Sequence, residues 1–114
     1  MSMTAAYRNA LRNHGATLIT HIGLVDGAGI EVTGGTYARK PITWNTTDPD
    51  ALMRPTADLV FDIPAGGVVA GWRGFSALTA GTNHGGAALT SETYGSAGTY
   101  TLLAATTSVD HNAA

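Results

Sequence analysis

The sequence contains no cysteine. That excludes a disulfide framework, thiolate catalysis and cysteine-ligated metal. Charge is scarce as well: Asp, Glu, Lys and Arg make up 12% of the 114 residues, about half the usual share. The net charge is −2, and the six basic residues are scattered, with Arg39-Lys40 the one adjacent pair. Phosphate binding needs a concentrated basic face, so nucleic acid is not expected as the main partner. No apolar run approaches the ~20 residues of a membrane helix. The N-terminal MSMTAAYRNALRNHG has no apolar leader core, so neither a secretory signal nor a membrane partner is expected. Phosphate-loop and dinucleotide-loop glycine motifs are missing, as is the paired-histidine zinc motif on a helix, so no cofactor and no metal are expected.

What is present is glycine, alanine and threonine in quantity, together with apolar residues that alternate with a period of two. The stretch DLVFDIPAGGVVAGWRGFS, residues 58–76, is the most telling. Leu59, Phe61 and Ile63 alternate with Val60 and Asp62, and Val68, Ala70 and Trp72 alternate beyond a Pro-Ala-Gly-Gly turn. That is the pattern of half-buried strands. Phe61 and Trp72 are expected as core or interface anchors.

The chain length predicts one domain. Residues 3–14 read as a short helix, because Met3, Ala6, Tyr7, Ala10 and Leu11 form one apolar stripe. Thr4 is the expected N-cap and Gly15 the residue that ends the helix. Strands are expected over 17–25, 30–33, 36–46, on both sides of Pro64, and over 86–94 and 99–109. Residues 47–55 read as a polar loop and 110–114 as a frayed tail. Pro41 predicts an edge strand or bulge. The expected architecture is mainly β: an antiparallel β-sandwich, jelly-roll-like, over residues 16–111, preceded by the helix at 1–15.

No catalytic set emerges. His14, His21, His84 and His111 lack metal-ligand spacing. His14 fits a helix C-terminus, and His21 reads as a hydrogen-bonded sheet residue. Asp48 and Asp50 lack the glycine and distal glutamate of a calcium loop and read as a turn. The glycine pairs at 34–35 and 85–86 read as hairpin turns. Asn45-Thr46-Thr47 is a formal glycosylation acceptor. Trp44, Trp72, Tyr37, Tyr94 and Tyr100 could together line a sugar-binding face. Met3, Tyr7, Leu11, Trp44 and Trp72 are the candidate interface residues, since low charge and a modest core favour packing against neighbours. The same features predict a homo-oligomer, with a trimer favoured.

Three phrases in order resemble a family of small tailed-bacteriophage virion proteins, tail-fibre-like or minor-capsid in type. They are THIGLVDGAGIEVTGGTYARKPITW at 20–44, VFDIPAGGVVAGWRGFSALTAG at 60–81 and GGAALTSETYGSAGTYTLLAAT at 85–106. The resemblance spans nearly the whole chain; the compact turn at 27–29 is where longer versions are expected. It implies a non-enzymatic structural subunit on the virion exterior, made in the bacterial cytoplasm, with major capsid or tail proteins as partners. Capsid decoration is favoured, and a tail-fibre or minor tail subunit is the alternative. A host-glycan-binding module is the reading from another class.

Overall fold

A computed structural model of the protein describes residues 4–46, 52–104 and 107–110. The elements follow from the two periodicities. The 3.6-residue pattern at the start gives helix α1 (Ala5–Leu18). The period-two remainder gives β1 (His21–Val25), β2 (Lys40–Pro41), β3 (Trp44–Asn45), β4 (Leu52–Pro55), β5 (Leu59–Ile63), β6 (Val68–Phe75), β7 (Asn83–Thr93), β8 (Gly98–Leu102) and β9 (Val109–Asp110). All pairings are antiparallel. One sheet runs β2-β1-β6-β7, a second β3-β4-β9, and a third pairs β5 with β8. The protein is therefore mainly β with one N-terminal helix.

A single apolar cluster joins the three sheets. It takes Ile22 and Leu24 from β1, Trp44 from β3, Met53 from β4, Phe61 and Ile63 from β5, Val69 and Trp72 from β6, and Leu102 from β8. β5 supplies Phe61 and Ile63 by strict alternation. β6 does not alternate throughout. Val69 is buried, then Gly71 and Trp72 are buried in succession, and a register shift against β7 lies between Val69 and Gly71. The extra residues of that irregularity lie in β7, and β6 buries residues on both of its faces, so the expected inward series Val68, Ala70, Trp72 holds only for Trp72, with Val69 and Gly71 buried on the opposite face.

The Pro64 turn is tight, with the Gly67 amide donating to the Pro64 carbonyl at 3.0 Å and Gly66 at φ +84. It is not a hairpin. β5 pairs with β8 while β6 pairs with β1 and β7, so the turn is a corner between sheets. It is fastened there because Gly66 donates to the Tyr94 carbonyl and Tyr94 donates to that of Gly67.

Thr4 caps α1 as its sequence position predicts, accepting from the Tyr7 amide at 3.2 Å. Gly15 does not end the helix. Its carbonyl accepts from Ile19 at 3.1 Å, and the helix runs on to Leu18. The strand expected from residue 17 begins instead at His21, and His14 lies before the last turn. Helix continuation wins because Ile19 is anchored. It packs against Gly74, where any Cβ would lie 2.6 Å from Ile19 Cγ2. The Ile19 carbonyl also accepts from Trp44 Nε1 at 2.8 Å.

Three more expectations are corrected. Part of the polar loop is strand β4, because Met53 enters the core fully buried and the strand pairs with both β3 and β9. The long final strand is two strands, β8 and β9, and Asp110 belongs to β9 rather than to a tail. The glycines at 85–86 lie within β7, not at its turn, and Gly85 at φ +94 marks a bulge there. Pro41 sits on edge strand β2, as its missing amide requires.

Candidate functional site

A helix that docks on a β-structure normally turns its apolar stripe inward. Helix α1 does the reverse. Arg12 is 6% exposed, and Arg8, Asn9 and Ala16 are half-buried on the same side. Tyr7, Leu11 and Leu18 face solvent at 51, 45 and 41% exposure. Their spacing of four and seven residues places them on one line along the helix. His14, between Leu11 and Leu18 on that line, is exposed as well. The inversion follows from the contacts that Ile19 makes with Gly74 and Trp44. The Ile19 anchor fixes the rotation of the last turn, and the face that follows from it carries Arg12 and Arg8 toward the body.

Of the candidate interface residues, Tyr7 and Leu11 lie on this outward stripe, and Met3 lies outside the described residues. Trp44 and Trp72 are 9% and 4% exposed and lie in the chain's own core. Leu18 was missed because residue 17 onward reads as strand once Gly15 is taken as a stop. Continuing the i, i+4, i+7 register through Gly15 reveals it.

The aromatic face needed for sugar binding is not assembled. Both tryptophans are buried, Tyr37 donates to Glu31 Oε2, and Tyr94 donates to the Thr99 carbonyl at 2.9 Å. Burial pushes the Tyr94 and Tyr100 phenols above the ordinary range, with Glu92 adding to both.

The densest polar constellation is built from EVTGGTYAR, residues 31–39. Arg39 grips Glu31 with two bonds, Nε to Oε2 at 2.9 Å and Nη2 to Oε1 at 2.8 Å. Its Nη1 donates to the carbonyls of Ala77 and Ala80 at 3.0 and 2.7 Å. The guanidinium lies 3.5 Å from the centroid of Phe75. Tyr37 bridges the group to β1, donating to Glu31 Oε2 and accepting from the Leu24 amide, both at 2.9 Å. Gly23 is required beneath it, since a Cβ there would meet Glu31 Oε2 at 2.6 Å and Phe75 Cε2 at 2.8 Å. A groove of 390 Å³ runs beside it, lined in part by Tyr37, Arg39, Leu78 and Ala80. The charged groups are turned on one another and on the loop at 76–82, so the constellation is a clamp rather than a reaction centre.

The remaining candidates do not converge. His21 Nδ1, at the start of β1, is 2.9 Å from Thr20 Oγ1. His84 is exposed on β7. Asp48, Asp50 and His111 lie outside the described residues. Among the described residues no group of three His, Asp or Glu side chains could hold a metal, and no helix is long and apolar enough to cross a membrane. No family model, no curated protein and no solved structure matches the chain.

Proposed function

We propose that this protein is a non-enzymatic structural subunit on the exterior of a tailed-phage particle, attached through the outward face of α1, with capsid decoration favoured over a tail position. The observation that carries the attachment is the inverted helix. Tyr7, Leu11 and Leu18 hold apolar surface in water while arginines occupy the docked side, an arrangement that becomes favourable when a partner covers the stripe. The virion setting is supported by the ordered resemblance of the three phrases. Each of these now has an architectural role: the clamp at 31–39, the corner at Pro64 and strand β8. A body with extents of 48 × 24 × 23 Å suits a surface subunit better than a stalk.

The test is substitution of the stripe. Tyr7→Glu with Leu11→Glu should leave the melting temperature nearly unchanged, because exposed substitutions shift stability by about 0.5 kcal/mol or less. Attachment should fall by about thirtyfold or more, the weight of a pair of anchor residues. Imaging of particles assembled with the substituted protein gives the occupancy and its location. Full occupancy with both glutamates in place would defeat attachment through α1.

A further inference from the structure

Strand β7 is the last strand of its sheet, and among the described residues nothing pairs its outer edge. Ten of its eleven residues are exposed, and Leu89 alone is half-buried. A strand lying on a core alternates inward and outward; this one is open on both faces. Protective devices are few. The strand has no proline, lysine or arginine, the residues that usually block an open edge. Its centre, Gly86-Ala87-Ala88, is built of small residues, which let a second backbone approach. Register shifts against β6 flank that centre and are the one guard present.

We propose that β7 is a self-association edge, at which two copies of the chain pair β7 with β7 antiparallel around a two-fold axis at Ala88. This register overlaps all eleven residues, setting Asn83 opposite Thr93 of the second copy. It also sets His84 opposite Glu92 of the second copy, twice per dimer. These are the titratable side chains of the strand, and an imidazole N–H opposite a carboxylate is a complementary hydrogen-bonding pair. Moving the axis one residue either way separates them. A second copy is therefore the occupant that this pairing selects, and closed two-fold pairing removes both open edges at once. The pairing makes a dimer where composition alone favours a trimer. It does not rest on the virion reading and holds for the purified protein.

The absence of cysteine makes the test clean. Across an antiparallel pair, opposed Cα atoms are about 4.5–5.5 Å apart, within disulfide reach. Ala88→Cys places two thiols opposite each other on the axis, so oxidation should give a covalent dimer. Thr90→Cys places them about 13 Å apart along the strand and should not. In the cysteine-free protein, His84→Glu should weaken the dimer about tenfold by sedimentation equilibrium, since like charges then oppose at both ends. Adding Glu92→Lys should restore it. Melting temperatures close to that of the parent protein show that each variant is folded. A protein that stays monomeric throughout, a dimer that cross-links equally at both positions, or one indifferent to the charge swap would each overturn the proposal.

Discussion

Phe61→Ala is expected to lower stability by about 3–5 kcal/mol, the range for truncating a buried aromatic in a core that cannot collapse around the gap. Phe61 is fully buried. It stacks on Tyr37 with ring centroids 6.3 Å apart and planes 19° from parallel. It also stands opposite Tyr100 in the β5–β8 pair. It thus ties the two-stranded sheet to the segment that carries the clamp, and the void would open where two sheets meet. For a chain of this size the melting temperature should fall by about 15 °C. Val60→Ala is the control. Val60 is the next residue on the same strand, half exposed, and its truncation should change stability by about 0.5 kcal/mol. Chemical denaturation of both variants gives the comparison. Equal losses would mean that the core does not centre on the inward face of β5.

Much of this was legible in the sequence because strand alternation is a local signal. Phe61 and Ile63 could be placed inward from period alone, and Pro41 placed its own strand at an edge. The failures have long-range causes. Whether β5 and β6 form a hairpin depends on their partners β8 and β1, about forty and about fifty residues away in sequence, and no local pattern encodes that choice. The end of α1 depends on Ile19 meeting Gly74 and Trp44, contacts made from two other sheet strands, so Gly15 gave a false stop. The helix stripe was read correctly as apolar. Its direction was not readable, because rotation about the helix axis is fixed by that same distant anchor. The clamp escaped notice because Glu31, Tyr37 and Arg39 alternate along an irregular segment rather than a strand, and Gly23, which makes room for them, lies on β1. The sequence signal that could have exposed it was one acid, one phenol and one arginine at i, i+6 and i+8 in a chain otherwise poor in charge.

Arg39→Ala should destabilise the protein by about 3 kcal/mol. Removing one partner of a part-buried pair leaves the other charge desolvated, and that penalty exceeds the net worth of the intact pair. Glu31 retains 25% side-chain exposure, which puts the expected loss at the low end of the range for buried pairs. Two carbonyls of the loop at 76–82 lose their donor, so amide exchange in that loop should quicken along with the global loss. Arg39→Lys should recover less than half, because an ammonium cannot hold Glu31 in two bonds, both carbonyls and the face of Phe75 together. The clamp also gives a pH signature. Burial, with Glu31 adding to it, holds the Tyr37 phenol well above its ordinary value. An unfolded tyrosine ionises near pH 10, so above that point the unfolded chain releases a proton that the folded chain keeps. This contribution to stability is complete below about pH 10 and is lost as the pH rises beyond it. Tyr37→Phe should lower stability at neutral pH, by removing the hydroxyl that serves both Glu31 and the Leu24 amide, and should make the alkaline decline shallower. Urea midpoints followed from neutral pH upward test both points. An alkaline limb as steep in Tyr37→Phe as in the parent protein would assign the decline to the other tyrosines, Tyr94 and Tyr100, and remove Tyr37 from it.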